Sequence, residues 1–295
     1  MIERREFSFG LLATIGRCVL HGPAAFAEDR SQKLEHDIAA IEKEHGGRLG
    51  VAVLDSASGS SAAFRGDERF PMCSTFKLLA VAATLAWVDN GKEELDRRVR
   101  FAAGDLATYS PVTKNHVGGN GMSLAEICEA AITVSDNTAA NLLLANLGGP
   151  QAVTAYARTL GDTLTRLDRN EPTLNEALPG DPRDTTSPKA MLANLRALAT
   201  GSALSSISRE HLVRWLIGNK TGDRRLRAGL PRGWRVGDKT GSGERGTAND
   251  IAVIWPSSDR SPAFVTAYLT GSPADSEHRN AAIADVGRAV VDFLG

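Results

Sequence analysis

The segment WRVGDKTGSGERGTANDIAVIWPSSDRSPAFVTAYLT, residues 234–270, decides the fold. Within it, Trp234 to Thr240, Asp250 to Trp255 and Ala263 to Thr270 are short runs separated by Gly, Ser, Asp and Pro. Runs of this kind read as strands joined by turns. Toward the C-terminus, residues 277–294 place Ile283, Val286, Val290 and Phe293 on one face of a helix. At the other end of the chain, Leu34, Ile38 and Ile41 mark 31–45 as an amphipathic helix. Leu49 to Leu54 then forms an apolar strand that enters a hairpin at Asp55-Ser56 and Ser58-Gly59.

The middle of the chain reads as helical. Ser74 to Val88 is almost continuously apolar and predicts a buried helix stopped by Asn90-Gly91. Ser123 and Glu126 form a capping box ahead of a helix over 124–133. Asn137 to Leu147 is a helix closed by Gly148-Gly149-Pro150, and helical character continues through 151–160. Ser187-Pro188 opens a helix over 188–199, and 208–217 forms another. Helix, strands, helices, strands, helix is not a regular βα alternation. The order predicts an α+β fold: an antiparallel sheet built from both chain ends and covered by the terminal helices, with an inserted all-α domain. The expected division is 28–65 and 217–295 for the α/β domain and 66–216 for the all-α domain, with the active site at their interface.

Composition narrows the class. The 295 residues are 42% apolar and 23% charged, which excludes a disordered chain. Lys plus Arg is 34 and Asp plus Glu is 35, so no basic excess exists to hold nucleic acid. Three Cys do not make a disulfide framework. The six His are scattered and form no metal-ligand pattern, and no Gly loop is placed to cradle a phosphate. No metal site is expected. Residues 1–27 read as an export signal: Arg4-Arg5-Glu6-Phe7 resembles the twin-arginine motif, an apolar stretch follows, and Ala25-Phe26-Ala27 is a small-x-small cleavage site. Arg17 interrupts that stretch, so it is too short and too charged to be a membrane anchor. A periplasmic or secreted protein is expected, and with no heptad seam or exposed apolar stripe, a monomer.

Four sequence elements carry chemistry. In Ser74-Thr75-Phe76-Lys77, Ser and Lys lie three apart at a helix start and so share a face. A serine hydroxyl needs a base to become a nucleophile, and a lysine serves only when burial or nearby positive charge lowers its pKa. Alone the pattern is weak, since about one such pair is expected by chance in a chain of this length. Ser135-Asp136-Asn137 lies at a junction between helices, where these residue types also favour simple N-capping. Lys-Thr-Gly occurs twice. The copy at Lys239-Thr240-Gly241 ends a strand, where Gly241 would let a substrate backbone lie close. The copy at Lys220-Thr221-Gly222 follows a helix end and reads as a coincidental loop. Finally, Arg169-Asn170-Glu171-Pro172-Thr173-Leu174-Asn175 puts Glu171 and Asn175 four apart, able to hold one water between them.

The first three motifs, in this order and context, are those of class A β-lactamases and penicillin-binding proteins. From about residue 31 to 294 the chain resembles a class A serine β-lactamase, and the segment around Glu171 resembles that family's omega loop. The resemblance implies catalytic roles for Ser74, Lys77, Ser135, Glu171 and Lys239. It implies substrate contacts by Asn137, Asn175, Thr240, Gly241, Ser242 and Arg225, with Tyr109 as an aromatic gatekeeper at the cleft mouth. β-Lactams are the implied substrates, with no cofactor. The family's bond at Glu171-Pro172 is cis, and Arg169 and Asp184 match the ion pair that closes its loop. The acylation base stays open between Lys77 and Glu171. Carbapenem-hydrolysing members bridge a Cys at the position of Cys73 to one at the position of Gly243; that bridge is absent here. Rivals are a penicillin-binding DD-peptidase, a β-lactam sensor, an inactive relative and a serine-type glutaminase. The first normally lacks the Glu171 element, the second needs a membrane span, the third would have lost one of Ser74, Lys77 or Glu171, and the last would not be expected to carry the omega-loop signature.

Overall fold

A computed structural model describes residues 23–295, with side chains from Asp29 onward. The twin-arginine segment, the apolar stretch after it and the side chains of the expected cleavage site lie outside the described residues. The first helix, α1, spans Pro23–His45 and so starts ahead of the expected residue 31. Ala24, Ala25, Ala27 and Glu28 are strong helix formers that extend it in that direction.

Five strands form one antiparallel sheet: β1 (Arg48–Asp55), β2 (Ser61–Phe64), β3 (Arg235–Gly243), β4 (Thr247–Trp255) and β5 (Ala263–Thr270). Their spatial order is β2-β1-β5-β4-β3. The N-terminal hairpin therefore joins the C-terminal meander through β1 and β5, with Val51 opposite Ala267 and Val53 opposite Val265. The sheet thus comes from both chain ends, as expected, and β3 is left at an edge.

Both sheet faces are covered. On one, Leu49, Val51, Val53, Val265 and Ala267 pack with Leu34 and Ile38 of α1 and with Ile283, Val286 and Val290 of the last helix, α9 (Ser276–Leu294). On the other, Ile251, Val253, Phe264 and Tyr268 join the core of the helical part. Part of that cover is α6 (Pro188–Ala199), which contacts β1, β4 and β5. The terminal helices therefore cover one face only.

The helical part surrounds α2 (Lys77–Asp89), from Lys77 to Leu85 wholly buried. A helix that is apolar around its circumference has no solvent face to present. Helices α3 (Leu124–Thr133), α4 (Asn137–Leu147), α5 (Pro150–Thr159) and α7 (Ser206–Ile217) pack around it. Ser123 accepts from the Glu126 N–H and Glu126 returns a bond to the Ser123 N–H, completing the capping box. Gly148, at φ +95°, closes α4 in the left-handed region that glycine adopts freely. A short α8 (Leu226–Gly229) lies between α7 and β3.

Candidate active site

Because α2 runs through the core centre, its N-terminal end is buried, and the residues there inherit that burial. Ser74 sits in a 3-10 turn, Cys73–Phe76, that leads directly into α2. The turn is held from three sides. The Met72 N–H donates to the Asp184 carbonyl, and Asn249 Nδ2 donates to the Pro71 and Met72 carbonyls. Gly241 of β3 passes so close that a Cβ there would lie 2.8 Å from the Met72 oxygen. Gly241 therefore serves the contact between β3 and the Ser74 turn, in addition to the substrate approach expected of it. Cys73 itself has φ +44°, a strained value for a side-chain-bearing residue that this packing enforces.

Lys77 follows, fully buried. Its Nζ lies 2.9 Å from Glu171 Oε1 and donates to Asn137 Oδ1 at 2.7 Å and to the Ser135 carbonyl at 2.8 Å. Burial pushes its pKa down and the Glu171 charge pulls it partly back. The same Glu171 oxygen accepts from Ser74 Oγ at 3.0 Å, and the other carboxylate oxygen accepts from Asn175 Nδ2. A carboxylate, an ammonium and the serine hydroxyl thus meet within hydrogen-bonding distance in a desolvated place.

The segment carrying Glu171 is fixed by its own network. Asp184 accepts from the backbone N–H groups of Asp168 and Arg169 and from Arg169 Nε, so the Arg169–Asp184 pair closes the loop as the resemblance implied. The Glu171-Pro172 bond is cis. Sequence reasoning missed Asn141 on α4. Its side chain donates to the Glu171 carbonyl and accepts from the Glu171 N–H, both at 2.9 Å, a two-sided clamp on the backbone of that residue. No local motif announces it, because the partner is 30 residues away.

Ser135 and Asp136 join α3 to α4. Asp136 caps α4 through the Ala139 N–H and also accepts from the N–H groups of Val112 and Thr113. The capping reading and the functional reading of this motif are therefore compatible. Ser135, at φ +59°, presents Oγ to Lys239 Nζ at 3.0 Å and to Lys77 Nζ at 3.3 Å. Lys239 is fully buried on β3; burial, and after it the Lys77 charge, depress its pKa strongly. Tyr109, at φ +66° and 57% exposed, stands at the cleft mouth; its carbonyl accepts from the Asn137 N–H.

Above this floor lies a cleft of about 360 Å³ lined by Ser74, Tyr109, Ser135, Asn137, Asn175, Thr221, Arg225, Thr240 and Ser242. One wall is the free edge of β3; the others come from the helical part and the Glu171 segment. Lys77, Glu171, Lys239 and Gly241 lie beneath. Arg225 is 8% exposed and donates to Ser242 Oγ at 2.6 Å and to the Gly241 and Asn249 carbonyls. All twelve sequence-predicted residues therefore converge. The ninth lining residue, Thr221, belongs to the Lys-Thr-Gly copy that the sequence reads as a coincidental loop. Its Oγ1 meets Thr240 Oγ1, while the neighbouring Lys220 bonds back to Thr133 through its N–H. The motif was coincidental for its lysine and not for its threonine.

Residues 33–294 match the model of the Beta-lactamase enzyme family. The chain belongs to the β-lactamase enzyme family. It is 49% identical to β-lactamase CTX-M-8 of Citrobacter amalonaticus over 99% of each chain. With β-lactamase OXY-2 of Klebsiella oxytoca it shares 45% identity over the full length of both. A solved ancestral class A β-lactamase superposes with a TM-score of 0.86 at 66% identity, covering 88% of this chain and 98% of that one. A putative class A β-lactamase, PenP from Rhodopseudomonas palustris, does so at 62% identity over 88% and 98%. The fold is that of class A β-lactamases.

Two further family features bear on this chain. Cys73 and Cys128 are both buried and free. A Cβ built at Gly243 would lie 2.6 Å from Cys73 Sγ, so the position that bridges in carbapenem-hydrolysing members is adjacent here but carries no thiol. Among the described residues no helix is long and apolar enough to cross a membrane.

Proposed function

We propose that this chain hydrolyses the amide bond of β-lactam antibiotics through an acyl-enzyme on Ser74, and so confers resistance to them. The observation that carries the reading is the hydrogen bond from Ser74 Oγ to Glu171 Oε1 at 3.0 Å, beside Lys77 Nζ at 2.9 Å from the same oxygen. Ser74 Oγ attacks the lactam carbonyl while its proton passes to the acceptor it already faces, Glu171, directly or through a water. The carbonyl oxygen, becoming anionic, takes hydrogen bonds from the backbone N–H groups of Ser74 and Ser242. Each such donor contributes about 3 kcal/mol to the transition state. Ser135 Oγ accepts from Lys239 and gives its own proton to the departing nitrogen; the proton on Glu171 returns to Ser135 through Lys77, which contacts both, so Glu171 is a carboxylate again. In the second half, Glu171 takes a proton from a water also held by Asn175; the water oxygen bonds to the acyl carbon, and as the bond to Ser74 Oγ breaks Glu171 returns the proton to that oxygen. A positioned general base of this kind contributes about 10²–10⁴-fold.

The substrate carboxylate meets Thr240, Ser242 and Arg225, and Asn137 contacts its side-chain amide. Arrival of that anion would favour the charged form of Lys239, whose burial otherwise disfavours it. Tyr109 bounds the cleft mouth. We place the sheet-forming segments 28–65 and 217–295 in one domain and 66–216 in the other, supported by an apolar core drawn wholly from the first two segments. A monomer fits the exposed large apolar side chains among the described residues, which are the single residues Tyr109, Val117 and Ile207. The enzyme acts in the periplasm or outside the cell after cleavage near Ala27. The test is time-resolved intact mass of residues 28–295 with a penicillin. A transient adduct with many equivalents of opened lactam is expected. A persistent stoichiometric adduct without turnover would replace this reading with a peptidase or a sensor, and no adduct at all would remove Ser74 as the nucleophile.

A further inference from the structure

A cavity of about 630 Å³, larger than the cleft above Ser74, lies beside the Glu171 segment and shares no lining residue with that cleft. One wall is the consecutive run from Ala177 to Pro182; the opposite wall includes Arg48, Arg69, Pro71 and Arg245. The size suits a small organic ligand. Its charge is uneven. The Arg245 carbonyl accepts from the Gly271 N–H, but its guanidinium has no hydrogen bond or ion pair among the described residues. Among the described residues Arg69 donates only to the Leu164 carbonyl and Thr185 Oγ1, so it has no carboxylate partner there and keeps unused N–H donors. The acids that also line the cavity are already engaged: Glu68 with Arg48 and Arg65, and Asp181 with Arg183. Pro71, Leu178, Pro179 and Pro182 supply apolar surface between the charges.

We propose that this cavity is a second binding site, taking an aromatic carboxylate whose ring packs on the proline faces and whose anion pairs with Arg69 and Arg245. Such a ligand would bridge the Ala177–Pro182 wall to the sheet side and brace it. That wall begins two residues after Asn175, whose carbonyl accepts from the Glu244 N–H, the residue beside Arg245. The site is independent of the reading given for Ser74, because it is tested by binding and not by turnover.

The probe is 2-naphthoate, with neutral 2-naphthamide as its control, titrated into the full enzyme and followed by NMR and by amide hydrogen exchange. Naphthoate is expected to bind at least about tenfold more tightly than the amide, as a charge-assisted pair requires. It is expected to slow exchange over residues 177–182. Arg245→Glu, which alters an exposed side chain with no partner to lose, should weaken naphthoate at least about tenfold. Arg69→Ala should also weaken it. The proposal is overturned if naphthamide binds as well as naphthoate, or if Arg245→Glu leaves the affinity unchanged. It is equally overturned if naphthoate competes with a penicillin and gives no protection at 177–182.

Discussion

Replacing Glu171 with Gln tests the chemistry with little disturbance of packing. The amide is the same size as the carboxylate and can still accept from Ser74 Oγ, now at 3.0 Å. Its NH2 would then face Asn175 Nδ2, two donors in contact, where Glu171 Oε2 now accepts. Asn175 can resolve that conflict by rotating its own amide, because its Oδ1 is buried without a partner. The fold should therefore survive, and the loss should be chemical. Without a carboxylate, neither Ser74 nor the hydrolytic water has that base. The general-base contribution of about 10²–10⁴ corresponds to about 2.7–5.5 kcal/mol of barrier. Lys77 also loses the charge that opposes its desolvation, so it moves further toward the neutral form. A neutral lysine can still take the Ser74 proton, so acylation should suffer less than deacylation. Rapid-quench intact mass should find nearly one acyl group per enzyme, decaying at least about 100-fold more slowly than the wild-type adduct. Wild-type turnover with no accumulated adduct would refute the assignment of Glu171 and the argument built on its contacts.

Other consequences are equally open to measurement. Gly222→Ala places a Cβ 1.9 Å from Asp238 Oδ2, a carboxylate also held by Asn219 and Arg227. The variant should lose at least about 1–3 kcal/mol in urea unfolding, and an unchanged midpoint would contradict the packing. Arg225→Met should raise KM about tenfold or more for substrates bearing the carboxylate, with little effect on a carboxylate ester; equal effects on both would remove the charge contact. Burial raises the pKa of Asp250 well above the ordinary range, with the Asp238 charge adding to it. The native protein therefore keeps a proton that the unfolded chain has released above its usual pKa near 3.9. That contribution to stability is complete below this value and is lost as pH rises through the folded pKa. Asp250→Asn should flatten this decline in denaturation midpoints, and an unaltered slope would show that the proton is not held there. Burial also raises the thiol pKa of Cys73 and Cys128. Neither should react with a thiol reagent in the native enzyme and both should in urea; fast native labelling would contradict their burial.

How far the sequence reached follows from how local each signal was. The capping box at Ser123, the Gly148 stop and the Ser187-Pro188 start depend on residues within one turn, and each lies where it was expected. The strands of 234–270 and the amphipathic faces of α1 and α9 were also legible, because burial on one side imposes a period on the residues themselves. Ordered motifs then brought Ser74, Lys77, Ser135, Glu171 and Lys239 into one hypothesis.

Tertiary structure decided whatever depends on an approach between distant segments. Asn141 clamps the loop residue Glu171 from α4, and Thr221 reaches Thr240 across the cleft edge. Gly241 is a glycine because the Met72 carbonyl lies against it, a contact between the sheet and the Ser74 turn that no spacing reveals. The depressed pKa values of Lys77 and Lys239 have the same origin. The sequence by itself determined which residue types carry the chemistry and the order in which they occur. Their desolvation, their charges and their distances to one another arise only when α2 is enclosed by its neighbours and β3 closes over its end, since electrostatic energies depend on separation and burial in space.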